Sequence, residues 1–507
     1  MYKKLSILYF AQIYKAILPL IFIPIILKAL GAERYGMISF FSMLVGWLGI
    51  LDIGVSGSFL KLVATSKNNA HAFEKTCNLF FKISLCFLAI SIVLSASVFL
   101  SANYLATQWL QTKIEANESI TCIKIIGFVL ALNYIKIYLS SFLTGMEKQH
   151  FLAGWGAIAS SLLYAGSYGA IFIGPVPLLS YFYSVLFFSF VDLSVIALML
   201  FFVIKKNNQQ LQMRPDPSSD SAKEEISIRN ILHFSLQLSG LSAIWVIATQ
   251  IDKLILSKYV ALADYAHYQI AAQLSMLISV FIAPLSQYLM PRLSALWNEK
   301  KPQELIQQLM YFLLFFIIAI GPIPIYFFLL GDNLVFAWMH NRQLGHDINN
   351  YAKWLTAASY ISALMNFMFI LRYALGKLKK YFYSYALYSA ITIPTSIAIA
   401  KYWGAGASAK FIFLHSFIFM LICGAGSIRK MVRGLLPLIT STMLLVSLAS
   451  LSTFYVFSKI SADSLYSNLL LKVIIPPLIN YFLIVATLWA LKKRLQQKLN
   501  RCEIMGF

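Results

Sequence analysis

Acidic side chains are scarce in this sequence. Only 19 aspartates and glutamates stand against 41 lysines and arginines in 507 residues. Charge of either sign amounts to 12%, where a soluble globular chain carries about a quarter. Cysteine is sparse as well. Cys77, Cys86, Cys122, Cys423 and Cys502 are scattered, with no C-x-x-C pair and no metal-ligand spacing, so no disulfide framework is implied. The seven histidines do not cluster. No G-x-x-x-x-G-K-[ST] stretch occurs, so the chain is no ATPase by itself. H-E-x-x-H and G-x-S-x-G are missing too. No catalytic constellation and no cofactor is expected.

Apolar runs are what the chain has in abundance. It is 60% hydrophobic, with a mean hydropathy of +0.74. Fourteen apolar segments can be counted, at 5–27, 36–59, 79–101, 120–143, 151–173, 178–204, 229–256, 265–290, 307–330, 352–375, 381–401, 407–428, 434–457 and 466–490. Each approaches the roughly 20 residues that cross a hydrocarbon core of about 30 Å. The fold class is therefore all-α: a polytopic membrane protein of about 14 transmembrane helices. With the N-terminus cytoplasmic, about 27 basic residues fall on the cytoplasmic side and about 8 on the other, the bias of the positive-inside rule. Both termini are then cytoplasmic. This bias absorbs most of the net charge of +22, because the basic residues sit in short loops and not on a folded basic domain. Nucleic acid is not an expected partner. MYKKLSIL opens an apolar run too long for a signal-peptide core, without a small-residue cleavage site, and reads as an uncleaved first span.

One loop differs from the rest. Residues 205–228 are polar, mixed in charge and contain two prolines, the composition of a flexible cytoplasmic linker. The linker divides a six-helix lobe, 1–204, from a second six-helix lobe, 229–430. Residues 431–507 add two helices and a basic tail. Gln12 is followed by ILKALGAERYGMISF and Gln237 by ILSKYVALADYAHYQIA, with Tyr35 and Tyr265 in similar places. An offset of six spans preserves orientation and gives a parallel pseudo-repeat about an axis along the membrane normal. Gly331 to Asn350 is expected as a sizeable outer loop, and GPVP at 174–177 as a tight turn.

Several polar residues fall at membrane depth, where a charge is costly and usually faces protein or a watery cavity. Lys15 lies about 16 Å beyond Lys4, in the span that also holds Gln12. It either lines a cavity or makes a structural ion pair. The same alternatives hold for Lys136, with Asn133 at i−3 on one face. Arg372, near the cytoplasmic end of its span, either guards a cavity mouth or is an ordinary topogenic charge. Asp192 is the deepest acid and is placed to pair with Lys15 or Lys136, or to titrate during ion coupling. Asp52, beside Gly54 and Gly57, and Asp252, adjacent to Lys253, either brace structure or take part in coupling or gating. Pro19, Pro24, Pro284, Pro291, Pro322, Pro324 and Pro394 interrupt or flank helices and bend them.

Certain of these stretches resemble the polysaccharide flippases, the Wzx type of O-antigen exporters in the multidrug/oligosaccharidyl-lipid/polysaccharide exporter superfamily. The resemblance rests on a polar, proline-containing first helix, then Leu30-Gly31-Ala32-Glu33-Arg34-Tyr35-Gly36, then Leu51-Asp52-Ile53-Gly54. It continues in Ile251-Asp252-Lys253-Leu254-Ile255-Leu256 and Ala263-Asp264-Tyr265-Ala266, where Asp264 stands in place of the usual glycine, and in Gly376-Lys377. It implies a non-enzymatic secondary transporter of the bacterial inner membrane. Such a protein moves an undecaprenyl-diphosphate-linked oligosaccharide from the cytoplasmic to the outer leaflet by alternating access, with H+ or Na+ as the open choice of coupling ion. Other implied partners are membrane lipid, a polysaccharide polymerase and a chain-length regulator, with the transporter itself a monomer.

The physical task agrees with that implication. A sugar headgroup and a diphosphate cannot cross hydrocarbon unsolvated. They need a wet path, and cations along it pair with the diphosphate. Lys15, Lys136 and Arg372, with Gln12 and Asn133, are the candidate path residues. Asp192, Asp52 and Asp252 are the candidates for coupling or gating. The competing readings are a cation-coupled multidrug antiporter of the same superfamily, a lipid II flippase, a membrane polymerase or ligase, and a channel. An antiporter favours acids in the cavity. A polymerase or ligase normally carries a larger outer loop.

Overall fold

Long apolar runs with few breakers become long helices, and that is the architecture of the computed structural model. It describes residues 2–51, 55–212, 228–425, 432–433, 435–460, 469–490 and 503–504. Nearly all of them are helical. Two two-residue strands, β1 (Val432–Arg433) and β2 (Glu503–Ile504), pair antiparallel. Among the described residues, nine helical stretches are long and apolar enough to cross a membrane. The expected segment at 5–27 and most of that at 36–59 fall in one helix, Tyr2–Leu51, and those at 381–401 and 407–428 share a single stretch as far as Gly424. Positive-φ glycines mark where each pair bends: Gly31 (φ 80°) and Gly404 (φ 72°). Only glycine enters that extended, left-handed region without strain.

The chain divides into two units, Met1–Ala266 and His267–Phe507. The first holds α1 (Tyr2–Leu51), α2 (Val55–Ser66), α3 (Ala70–Tyr104), α4 (Ala116–Gly145), α5 (Gln149–Ala170), α6 (Pro177–Gln212) and α7 (Ile228–Tyr259). A π-helical turn, Leu105–Trp109, closes α3. Its core is an aromatic stack. Tyr138 lies parallel to Phe80 and Phe87 with centroids 4.6 and 4.1 Å away. Tyr138 also donates its hydroxyl to the Phe80 carbonyl at 3.0 Å, so a buried polar tip is satisfied where water is absent. Helix α7, which the sequence reading places at the start of the second lobe, packs on α1 and α2. Gly46 and Gly49 of α1 meet Gln250 and Val246 of α7 there. A β-carbon at Gly46 would stand 3.3 Å from Gln250, and one at Gly49 would stand 3.8 Å from Val246.

The bend of α1 explains the motif that contains it. Gly31 supplies the turn. Glu33 accepts the Lys113 backbone N–H at 2.8 Å, and Arg34 reaches Glu118. Tyr35 is buried. Gly36 lies so close to the chain at Leu262 that a β-carbon would stand 2.3 Å from its carbonyl oxygen. Nearby, Trp109 donates its indole N–H to Ser257 at 3.0 Å, and Leu262 donates its N–H to the Gln111 carbonyl at 3.0 Å.

The second unit runs from within α8 (Leu262–Asn298) through α9 (Pro302–Ile320), α10 (Pro322–Met339), α11 (Arg342–Ala374), α12 (Leu378–Phe419), α13 (Leu435–Ile460) and α14 (Leu469–Ala490). A second π-helical turn, Met420–Ala425, follows α12. Leu293, Leu309, Phe316, Phe367, Val446 and Ile484 share its apolar core. The outer loop expected at Gly331–Asn350 is not a loop. Helix α10 continues to Met339 and α11 begins at Arg342. The polar residues that suggested a loop are satisfied between the two helices: Asn349 donates to Asp332 at 2.7 Å, and His346 lies 3.0 Å from its other oxygen. Helix also occupies 205–212 of the expected linker, since α6 runs to Gln212. The C-terminal helix pair is fastened down. Tyr481 of α14 donates to the Ala319 carbonyl at 2.7 Å, Tyr326 donates to the Pro476 carbonyl at 3.2 Å, and buried Asn480 donates to Ser450 at 2.9 Å.

A charged cluster inside the first unit

Four helices meet around a charged cluster in the first unit. Lys136 projects from α4 and Asp192 from α6, and their Nζ–Oδ2 distance is 3.0 Å. Trp155, on α5, donates its indole N–H to the other carboxylate oxygen at 2.8 Å. Both oxygens are therefore engaged, one by a cation and one by a neutral donor. Lys15, on α1, carries the third charge. Its side chain is exposed and interacts electrostatically with both Lys136 and Asp192. A β-carbon at Gly156 would stand 3.3 Å from the Lys15 ammonium, so the glycine after Trp155 makes room for it. One residue earlier on α1, Tyr14 shares a 2.7 Å hydrogen bond with Ser161 of α5. That bond fixes α1 against α5 at the height of the cluster.

Local sequence explains why this meeting is possible. Helix α5 reads QHFLAGWGAIASSLLYAGSYGA. Glycine, alanine and serine give it a thin profile, which lets neighbouring helices approach closely. It is not among the nine stretches apolar enough to span a membrane on composition alone. The cluster holds two lysines against one aspartate, a net charge of one positive. At low dielectric such an excess attracts an anion strongly.

Other candidate residues lie elsewhere. Gln12 is half-buried on α1. Asn133 donates to the Val129 carbonyl of its own helix at 2.9 Å. Asp252 is buried on α7 and sits 3.3 Å from the ammonium of its neighbour Lys253, which also donates to the Thr249 carbonyl. Asp52 lies outside the described residues. Arg372 belongs to the second unit, buried on α11, with its guanidinium 5.2 Å from the Tyr381 ring centroid. Tyr381 in turn stacks on Tyr385 and meets Phe419 edge-on. Trp155, Tyr14 and Ser161 are members of the first-unit site that charge-based reading of the sequence does not find. The one hint is a tryptophan between two glycines in an otherwise small-residue helix.

The profile of the polysaccharide biosynthesis protein family matches residues 1–297. No curated protein sequence matches the chain. Solved transporter structures share its fold. The lipid II flippase MurJ in an inward closed conformation superposes with a TM-score of 0.69 at 14% identity, over 97% of this chain and 99% of that one. An inward-facing multidrug resistance MATE family transporter of the MOP superfamily gives 0.60 at 12% identity, over 82% and 94%. At such identities the likeness is one of fold. The family match covers more than half of the sequence, and the chain belongs to the polysaccharide biosynthesis protein family, a multi-pass membrane protein with the transporter fold shared by MurJ and MATE proteins.

Proposed function

We propose that the protein is a flippase that carries an oligosaccharide on undecaprenyl diphosphate from the cytoplasmic to the outer leaflet of the bacterial inner membrane by alternating access. The observation that carries this reading is the net-positive cluster of Lys15, Lys136 and Asp192 on three membrane helices, α1, α4 and α6. A diphosphate needs cations along its path, whereas its polyprenyl tail can remain in lipid. Helix α5 supports the reading because Gly156 lets the Lys15 ammonium stand beside Trp155. A cationic drug would call for the opposite sign of charge. Both termini are cytoplasmic in this proposal, as the loop lysines and arginines require. Gln12 and Asn133 serve the path in the first unit, Arg372 serves substrate passage in the second, and Asp52, Asp192 and Asp252 serve coupling to H+ or Na+ or gating. The transporter works as a monomer beside a polysaccharide polymerase and a chain-length regulator.

The likeness to a lipid II flippase favours one variant of this reading, in which the glycan is a peptidoglycan precursor. Both variants share the diphosphate and differ in the sugar. The test is loss of surface glycan. Lys15→Ala and Lys136→Ala are expected to lower surface polysaccharide at unchanged protein abundance. Normal glycan in both variants overturns the cationic path. Loss of cell-wall precursor transport with surface polysaccharide intact selects the lipid II variant.

A further inference from the structure

We propose that Asp192 is a resident counter-anion: it holds the headgroup position on Lys136 while the transporter is empty, and the substrate diphosphate must displace it. The proposal rests on the diphosphate reading above and specifies how that site is regulated. Two observations lead to it. The Asp192 carboxylate accepts one bond from an ammonium and one from an indole N–H, at 3.0 and 2.8 Å, as two non-bridging phosphate oxygens would. Lys15 stands against Gly156, the residue next to Trp155, and is within electrostatic reach of Asp192. The groups facing Asp192 are thus Lys15 from α1, Lys136 from α4 and Trp155 from α5.

Charge counting supplies the rest. A diphosphate esterified at both ends carries one negative charge on each phosphorus. Two such charges match Lys15 and Lys136. With the carboxylate still in place, three negative charges would face two positive ones, an imbalance that low dielectric penalises heavily. Bound headgroup and Lys136-bound carboxylate therefore exclude each other. Trp155 is a positioning residue in this scheme: it holds the carboxylate where it competes. The empty transporter then never exposes two bare ammonium groups at depth, and free anions compete with an occupant already present.

The test is binding of a short-chain prenyl diphosphate bearing one hexose to the full-length protein in detergent. Removal of the resident anion in Asp192→Asn is expected to tighten binding about tenfold, the size of one partly buried charged contact. Asp192→Glu keeps the charge and retains wild-type affinity. Asp192→Ser is equally uncharged, gives the same tightening, and serves where Asp192→Asn fails to fold. In a Lys136→Ala background the tightening disappears, because the contested cation is gone. Unchanged or weaker binding in both uncharged variants, with binding still lost in Lys136→Ala, overturns the counter-anion and leaves the diphosphate site standing. Wild-type binding in both Lys15→Ala and Lys136→Ala overturns the two together.

Discussion

Arg34 grips Glu118 through two nitrogens, Nε to one carboxylate oxygen at 3.2 Å and Nη2 to the other at 3.4 Å. Glu118 is nearly buried at the start of α4, and Arg34 is more open at the bend of α1. The pair ties that bend to the α3–α4 connection. Arg34→Ala is expected to lower stability by about 1 kcal/mol, since the arginine is partly solvated. The charge swap Arg34→Glu with Glu118→Arg should recover most of the loss. Thermal unfolding of the single and double variants in detergent decides it.

The two glycines flanking that arginine should respond differently from an ordinary helical glycine. Gly31→Ala forces a β-carbon into the left-handed extended region, at about 1–3 kcal/mol. Gly36→Ala drives one against the Leu262 carbonyl and should be at least as harmful. Gly406→Ala has open space around it and no unusual φ, so its melting temperature should match the parent. Equal tolerance at all three positions would show that neither bend nor close approach matters.

Proton coupling through Asp192 makes a separate prediction. In vesicles, Asp192→Asn should abolish any dependence of transport on a pH gradient. Retained pH-gradient dependence excludes Asp192 as the coupling carboxylate.

In the C-terminal pair, Asn480 joins Ser450 across α13 and α14 with no exposure to solvent or lipid. Asn480→Leu should weaken this helix contact by about 0.6–2 kcal/mol, the range for interhelical hydrogen bonds in membranes. Tyr481→Phe should add a smaller loss, by leaving the Ala319 carbonyl without its hydroxyl donor. Denaturation in detergent, followed on these two variants and their combination, measures both effects.

Sidedness is open to direct measurement. A reporter fused at Pro215 should signal the cytoplasm, and one at Arg342 the outer side. Reversed signals overturn the topology drawn from the loop charges.

The helical membrane class was legible because apolar runs of spanning length have no other stable outcome in lipid. The α10–α11 region was not. Gly331, Asp332 and Asn333 lower the local hydropathy and imitate a loop, yet Asp332 is satisfied by Asn349 and His346 on a helix that hydropathy cannot see coming. The charged cluster was half legible. Depth singled out Lys15, Lys136 and Asp192 and offered either lysine as the partner of Asp192, but 56 residues separate Lys136 from that carboxylate, and no spacing rule chooses between the two. Trp155 stayed hidden because an indole N–H donor has no signature in a sequence rich in aromatics.

The glycine face that α1 offers to α7 has a mechanical consequence. Gly46 and Gly49 present bare backbone to Gln250 and Val246, so on the α1 side no side chain interlocks at those points. Interlocked side chains must repack before two helices come apart. A smooth seam needs no such rearrangement. Parting α1 from α7 at Gly46 and Gly49 therefore unhooks no side chain of α1.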